Sequence, residues 1–246
     1  MKILGLDTAT LTAGLALLED EVVLAEARHQ ATQRTNDLLV AIDAMVRGLG
    51  LAPSAIDAVA IGAGPGSFTG LRIGMATAKG IAFAAGRPLW AVSTLAALAY
   101  DAIAERSAPA HGVAVNDGLA VAVLDARRGE VYAGCYRIAG HALVGEERVL
   151  DPAALAAWVA TLAPAAVAAG HVIYAGDALA AHPEVLAPLA AAWSPTVRTP
   201  SGVAVARLAL AGARLDVLTA GSPTYIRPSE AEVKYPDGVP GALPRR

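Results

Sequence analysis

Cysteine is nearly absent from this chain of 246 residues, in which Cys135 is the single example. One cysteine excludes an internal disulfide and a zinc site built on several thiolates. No two of the five histidines are three or four residues apart, so no helix presents a pair of imidazole ligands. The sequence therefore predicts no metal site, and its cysteine usage suits a reducing cytoplasm.

A basic surplus is also missing, since 19 Lys and Arg residues against 22 Asp and Glu residues give a net charge of −3. Proteins that hold nucleic acid through their own phosphate contacts usually carry such a surplus. If the protein functions on RNA, a partner is therefore expected to supply the basic surface that binds it. Charged residues make up only 17% and apolar residues 55%, which excludes disorder over most of the chain.

Long runs of strongly apolar residues are absent despite a mean hydropathy of +0.49. The longest uncharged stretch, 152–170, is mostly alanine and contains Pro164. Alanine drives membrane insertion weakly, so no membrane span is predicted. Asp7 interrupts the first apolar run, which argues against a signal peptide. We expect a cytoplasmic globular protein.

The first part of the chain alternates between strand and helix patterns. Short apolar runs separated by turns predict a three-strand meander over 2–8, 12–18 and 21–27. Apolar residues at helical spacing predict a helix to about residue 49, with Asn36 as its N-cap. The pattern continues with a strand over 58–62, a helix over 71–85, a strand over 89–92 and a helix over 94–104. This order predicts an α/β fold.

A segment rich in Pro, Gly and small polar residues, 107–118, predicts a boundary between two lobes. Beyond it, strands are predicted over 120–124, 130–138, 142–149 and 172–175, and helices over 152–162, 183–193 and 201–215. The predicted domains are an N-terminal lobe over 1–107 and a smaller second lobe over 108–200. A helix over 201–222 is predicted to return to the first lobe, and 223–246, with five prolines, is predicted to be an extended tail.

A glycine-rich loop joins a predicted buried strand to a helix, where backbone N–H groups converge. Its glycines permit a tight path, and its hydroxyls can donate hydrogen bonds; these residues are Gly64, Gly66, Ser67, Thr69 and Gly70. One interpretation is a cradle for a phosphate or carboxylate, or a close contact with a partner. The other is a turn whose Ser or Thr caps the helix. No Gly-Lys-Ser/Thr follows, so this is not a P-loop.

Two further motifs carry polar groups. Asp7 and Thr8 end the first strand, where a carboxylate could hold hydrated Mg²⁺ beside a nucleotide phosphate or accept local backbone bonds in a turn. The stretch 125–132 reads as a hairpin with Gly129 in its turn. Its polar residues could also recognise a ligand or partner; they are Asp125, Arg127, Glu130 and Tyr132.

Five segments taken together resemble the TsaB family, also called YeaZ, over nearly the whole chain. They are ILGLDT at 3–8, GPGSFTGLRIG at 64–74, VSTL at 92–95, DARRGEVY at 125–132 and PTYIR at 223–227. GPGSFTGLRIG is highly specific, and the others are specific through their order and spacing. The resemblance implies a two-lobed actin/Hsp70/sugar-kinase-like (ASKHA) fold, each lobe a mixed sheet flanked by helices.

The same resemblance implies a role in the bacterial machinery that forms N6-threonylcarbamoyladenosine at position 37 of tRNAs reading ANN codons. In that machinery a related subunit, TsaD, transfers the threonylcarbamoyl group that TsaC makes, and TsaE is a small ATPase. TsaB-like proteins are the non-catalytic partners of TsaD. A chain of this kind is expected to bind TsaD and TsaE, to reach tRNA through the complex, and to form a homodimer when alone.

Two departures from related enzymes support a non-catalytic role. TsaD-like subunits carry a His-x-x-x-His pair on the helix that corresponds to 94–104, and this helix has no histidine. Fold relatives use Asp-x-Gly-Thr where this chain has Asp7-Thr8-Ala9-Thr10. We expect no autonomous nucleotide turnover, with ATP or ADP and Mg²⁺ confined to a partner interface. The alternatives are a nucleotide-binding kinase or ATPase of the same fold and a peptidase, for which no nucleophile–base pair is evident.

Two helix faces are the predicted partner surface. An amphipathic face on the first helix and a small-residue face on the second could form a helix-pair interface, and the resemblance points to the same helices. The residues are Leu38, Leu39, Ile42 and Met45 on the first and Leu71, Ile73, Gly74 and Ala78 on the second. Alternatively, both faces pack on their own sheet, since an amphipathic helix must bury its apolar stripe somewhere.

Overall fold

A computed structural model describes residues 1–30, 37–107 and 118–217, together with Ser222, Thr224 and Ile226. The predicted N-cap Asn36, most of the predicted lobe boundary and most of the predicted tail lie outside these residues. In the described part of the chain, no helix combines the length and the apolar character that a bilayer crossing requires.

In its described residues, the first half of the chain builds a mixed sheet and three α-helices. Its strands are β1 (Lys2–Asp7), β2 (Thr12–Glu19), β3 (Val22–Gln30), β4 (Ala58–Gly62) and β5 (Leu89–Val92). Its helices are α1 (Asp37–Gly48), α2 (Phe68–Ala85) and α3 (Thr94–Arg106). β1 pairs antiparallel with β2 and parallel with β4, which in turn pairs parallel with β5. The carboxyl ends of β1, β4 and β5 therefore lie at the same edge.

The second half builds a smaller mixed sheet. Its strands are β6 (Leu119–Arg127), β7 (Glu130–Arg137), β8 (Leu143–Leu150) and β9 (Val172–Ala175), in the order β8-β7-β6-β9. Short helices accompany them: α4 (Leu155–Leu162), α5 (Pro164–Ala168), α6 (Ala178–Ala181) and α7 (Pro183–Leu186). The chain then forms α8 (Gly202–Leu210) and β10 (Leu215–Asp216), and β10 pairs with β5 at the edge of the first sheet.

Two helices occupy the space between the sheets. α8 lies on β1 and β2, and Ala204, Val205 and Leu208 share a buried cluster with Ile3 and Leu18. α3 packs against α8 on one side and contributes Leu95 and Leu98 to a cluster with β6 and β9 on the other. α1 and α2 cover the opposite face of the first sheet. The predicted fold class, two mixed sheets flanked by helices, is observed.

Several predicted helices have different bounds in the structure, among them 152–162, which begins as the 3-10 helix Pro152–Ala154 before α4. The helix predicted over 183–193 is the short α7 followed by a 3-10 helix, Ala187–Ala192, because Pro188 has no N–H to continue α-helical bonding. The helix predicted over 201–215 ends at Leu210, and Gly212 turns the chain with a φ of +89°. α2 begins three residues before its predicted start, because Ser67 caps it.

Candidate functional site at the glycine-rich loop

The glycine-rich loop lies where the carboxyl ends of β1 and β4 meet the first turn of α2. In open α/β sheets, ligands characteristically bind outside the carboxyl ends of the strands. The sequence predicted that Asp7 and the loop would both belong to a site, and the structure brings them to this edge together. Thr94, the first residue of α3, joins them there.

Asp7 is completely buried and bonded through both carboxylate oxygens. Oδ1 accepts the backbone N–H of Ala9 at 2.8 Å, and Oδ2 accepts the hydroxyl of Thr94 at 2.7 Å. The same Thr94 oxygen accepts the N–H of Gly64 at 3.1 Å. Thr94 therefore ties the end of β1 to the loop after β4.

Burial raises the pKa of Asp7 to about 6, and the two hydrogen bonds together with the positive charge of Arg28 oppose the rise only in part. A carboxylate enclosed in this way serves the local turn, which is one of the two roles that the sequence left open. The magnesium role stays a prediction, and it would require Asp7 to become accessible.

The turn between β1 and β2 occupies the concave side of the glycine-rich loop. The N–H of Ser67 donates to Ala9 O at 2.7 Å, and the Thr8 hydroxyl donates to Gly70 O at 2.9 Å. A Cβ at Gly70 would lie 2.1 Å from Thr8 O, and one at Gly74 would lie 2.0 Å from Thr8 Oγ1. These glycines are therefore required for contact between α2 and the chain's own Thr8, whatever ligand the loop meets.

Ser67 also acts as the N-cap of α2, because its hydroxyl accepts the N–H of Gly70 at 3.3 Å. The helix-cap interpretation of the loop is thus observed. Ser67 and Thr69 are exposed, so the outer side of the loop remains accessible. The cradle interpretation stays a prediction for that outer side.

The C-terminal motif also reaches this loop. The N–H of Thr224 donates to Ala63 O at 2.7 Å, one residue before Gly64. Ile226 packs against the cluster that α3 forms with the second sheet. The sequence placed the PTYIR motif at 223–227 in the predicted extended tail, and it did not single out Thr94 as a site residue. Thr94 follows the predicted strand 89–92 as the glycine-rich loop follows 58–62, and this shared position could have indicated it.

The 125–132 segment is a β-hairpin, as one of its two interpretations predicted. Arg127 faces Glu130 across a two-residue turn in which Arg128 and Gly129 have φ values of 57° and 80°. Asp125 accepts the N–H of Arg127 at 2.9 Å and lies 3.2 Å from His182 Nε2. Tyr132 is buried in the cluster beside α3. A recognition role for this segment stays a prediction.

Five of the eight predicted interface residues lie in the chain's own core. They are Leu38 and Ile42 on α1 and Leu71, Gly74 and Ala78 on α2, and all five are buried. A residue buried within the chain cannot reach a partner, so these five positions fit the core alternative. Leu39 is 52% exposed, and Met45 and Ile73 are half-buried. The partner interface stays a prediction, and these three are the residues of the predicted set that a partner could reach in this structure.

A groove of about 810 Å³ runs along the outer side of α2 and is bounded by α1 and by the 3-10 helix Pro53–Ala55. We call it the α1/α2 groove. Leu39, Ile73 and Ile81 give it apolar walls. Its floor includes the exposed small residues Ala76, Gly80 and Ala84, spaced four apart on α2. The small-residue face of α2 that the sequence indicated is the inward one, whereas this second small-residue face points outward.

Comparisons with known proteins agree with one another. A family model described as TsaD, tRNA N6-adenosine threonylcarbamoyltransferase, matches residues 25–231. The tRNA threonylcarbamoyladenosine biosynthesis protein TsaB of Bacillus subtilis is 36% identical over 138 residues, and that of Escherichia coli is 37% identical over 132 residues. The solved structure of YeaZ from Pseudomonas aeruginosa matches with a TM-score of 0.70 and 30% identity, covering 91% of this chain and 100% of that one. The chain belongs to the TsaB (YeaZ) family.

The predicted ASKHA-type fold is confirmed by this membership, because the structure of YeaZ from Pseudomonas aeruginosa matches 91% of this chain and so extends over both sheets. Component A of (R)-2-hydroxyglutaryl-CoA dehydratase from Acidaminococcus fermentans also shares the fold, with a TM-score of 0.51 at 11% identity over 87% of this chain and 99% of that one. The sequence match to Bacillus subtilis TsaB covers 56% of this chain and 56% of that protein. The match to Escherichia coli TsaB covers 54% of this chain and 53% of that protein. The chain thus spans about half the length of the curated TsaB relatives it matches.

Among the described residues, no three His, Cys, Asp or Glu side chains gather in a way that could hold a metal ion. The predicted lack of a metal site stays a prediction for the chain as a whole.

Removal of the Thr94 hydroxyl should destabilise this TsaB-family site. Thr94→Val deprives Asp7 Oδ2 of a donor and Gly64 N–H of an acceptor, both buried, so we expect a loss of about 2 kcal/mol in unfolding free energy. Thr94→Ser keeps the oxygen and should lose much less. Urea unfolding of both variants measures the difference, and equal stabilities would contradict the bridging role.

Proposed function

We propose that this protein is a subunit of the machinery that forms N6-threonylcarbamoyladenosine in tRNA, and that it acts by binding a TsaD-like catalytic subunit. The observation that supports this proposal best is the α1/α2 groove on a member of the TsaB family. The groove would receive a helix of the partner. The protein would contribute organisation of the complex, and the partner would contribute the transfer chemistry.

The groove has the surface chemistry of a helix-binding site. Ala76, Gly80 and Ala84 lie along one line of α2, since residues four apart share a helix face. Small side chains there let a second helix backbone approach closely, because interaxial distance depends on the side chains at the contact. Leu39, in the groove wall, is 52% exposed, and Val40 and Phe83 on the same two helices are 64% and 81% exposed. Large exposed apolar side chains near a groove are typical of a protein–protein contact.

The arrangement at the glycine-rich loop supports a role without nucleotide chemistry in the isolated chain. Both oxygens of Asp7 are held by protein donors, and the N–H of Ser67 is held by Ala9. A nucleotide or Mg²⁺ would therefore meet only the outer side of the loop, where Ser67 and Thr69 are accessible. We accordingly propose that any ATP or ADP binds at the interface with the partner.

The remaining partners follow from the same proposal. A net charge of −3 gives little attraction for tRNA, so tRNA would be held by the assembled complex, which includes a TsaE-like ATPase. Without its partner, the protein would cover the α1/α2 groove with a second copy of itself. The cytoplasm is the proposed location, because tRNA is modified there.

Two groove variants test the proposal. Leu39→Asp places a charge in the groove, and Gly80→Leu fills it at a position where a Cβ meets no atom within 4 Å. Each should weaken binding of the TsaD-like subunit of the same organism at least about tenfold, which corresponds to about 1.4 kcal/mol. Val185→Asp, at a residue that is 49% exposed on α7, is the matched control and should bind as the unaltered chain does.

Mass spectrometry of tRNA nucleosides from cells depleted of the protein provides the second readout. Threonylcarbamoyladenosine should fall, and the control variant should restore it while the groove variants do not. Unchanged modification would contradict the pathway assignment. Normal binding by both groove variants would contradict the groove alone. ATP turnover by the purified chain that Asp7→Ala abolishes would instead favour the kinase or ATPase alternative.

A further inference from the structure

A second cavity lies at the C-terminal end of α3, where this helix meets the second sheet. It has a volume of about 230 Å³ and lies far along α3 from the glycine-rich loop, which is next to the first residue of that helix. Its walls include Glu105, Arg106, Ile173, Ala192, Trp193 and Ser194. We call it the Arg106 pocket.

Arg106 brings to this pocket a cation that has no ion-pair partner among the described residues. Its Nε is buried without a hydrogen-bond partner, and within the described part of the chain the guanidinium takes part in no ion pair. A buried donor without an acceptor is costly and is rare in native structures. A planar guanidinium is suited to bind a carboxylate through two parallel hydrogen bonds.

Glu105 brings the opposite charge, held in a defined position. Its two carboxylate oxygens accept the hydroxyls of Ser194 and Thr196. Ser194 is itself buried, and its oxygen accepts the N–H of Val197 at 2.9 Å. An ionised carboxylate has about four acceptor positions, so Glu105 can accept further donors after these two.

The remaining side chains of the wall are apolar except for the indole N–H of Trp193, which is already bonded. The indole N–H of Trp193 donates to Gly176 O at 3.1 Å, and its ring stacks on Tyr174 with the ring centroids 5.6 Å apart. Ile173 and Ala192 complete this side. A ligand would therefore find hydrogen-bonding groups at the two charged residues and a hydrophobic surface elsewhere.

We propose that the Arg106 pocket binds a small free amino acid as its zwitterion. The carboxylate of the ligand pairs with Arg106, its ammonium group pairs with Glu105, and its short side chain lies against Trp193 and Ala192. A simple carboxylate would leave Glu105 beside an anion, and a simple amine would leave Arg106 beside a cation. Only a ligand with both charges matches both residues. This site is separate from the α1/α2 groove and does not depend on the proposed partner.

The proposal is tested by adding ligands to the full chain and monitoring binding by NMR. The amino acids are alanine and valine, and the single-charge probes are propionate and propylamine. The amino acids should bind saturably with millimolar dissociation constants, as ligands of this size do. Propionate and propylamine should each bind at least about tenfold more weakly. Arg106→Gln and Ala192→Leu, which remove the cation and fill the pocket, should each weaken amino-acid binding by a similar factor.

Arg198→Gln is the control variant, because Arg198 is exposed on the same segment and does not line the pocket. It should bind amino acids as the unaltered chain does. Absence of saturable binding, or binding that survives both pocket variants, would overturn the proposal. Equal binding of propionate and alanine would overturn the zwitterion assignment. The comparison of probes uses the unaltered chain, so it decides this point even if a variant fails to fold.

Discussion

Gly5→Ala should lower the free energy of unfolding by about 3 kcal/mol, because the added methyl group has no space. A Cβ at Gly5 would lie 2.1 Å from Gly202 O and 2.9 Å from Ala206 Cβ on α8. The strand cannot shift to make room, since β1 is bonded to β2 on one side and to β4 on the other. α8 cannot withdraw without opening the buried cluster that it shares with Ile3 and Leu18.

Urea unfolding of Gly5→Ala against Gly48→Ala measures this effect. Gly48 is the last residue of α1, and a Cβ there meets no atom within 4 Å. Alanine is the better helix former by about 0.5–1 kcal/mol, so Gly48→Ala should be neutral or stabilising. A Gly5→Ala variant as stable as this control would show that the contact between α8 and β1 is looser than the structure has it.

Lowering the pH from 7.5 to 4.5 should stabilise the protein through two buried carboxyl groups. Burial raises the pKa of Asp7 to about 6, and burial raises that of Asp101, which accepts the N–H and hydroxyl of Ser201, also to about 6. Between that value and the ordinary 3.8, the folded chain holds protons that the unfolded chain releases. Stability from these groups therefore increases as pH falls through 6 and is absent above it. Each should contribute about 2 kcal/mol at pH 4.5.

Replacement of each carboxyl by its amide separates the two contributions. Asp7→Asn and Asp101→Asn should each remove their own share of the pH dependence, because an amide does not titrate. Asp43→Asn is the control, since Asp43 pairs with Arg47 at a solvent-exposed position on α1 and should leave the dependence intact. Urea unfolding at both pH values gives the comparison. A pH dependence that both amide variants retain in full would contradict the assignment to Asp7 and Asp101.

The hydrophobic pattern predicted the elements of the first lobe closely, because each is either a short apolar run or a stretch with helical spacing. β1 and β4 are short apolar runs ended by polar or glycine residues, and α1 repeats large apolar residues at helical spacing. The largest errors lie in the alanine-rich segments 183–193 and 201–215, where nearly every position is apolar and no period stands out. There Pro188 and Gly212 decide the path of the backbone.

The candidate site was predictable as a set of residues and not as a geometry. The sequence placed Asp7 at the end of one predicted strand and the glycine-rich loop directly after another. Local sequence could suggest the bond from Ala9 to Asp7, but it could not show that Asp7 also accepts the hydroxyl of Thr94, which is 87 residues away along the chain. Nor could it show that Thr8 and Ala9 fill the concave side of the loop.

The sequence by itself determined the order of strands and helices, the family and the residues that can carry polar chemistry, because these depend on local pattern and on motifs. Tertiary structure alone decided which face of each helix is buried. On α1 the sheet covers Leu38 and Ile42 and leaves Leu39 outside. On α2 the contact with Thr8 turns Gly74 inward and leaves Ala76, Gly80 and Ala84 to line a groove. Both helix faces carry small or apolar residues, so only the position of the sheet distinguishes them.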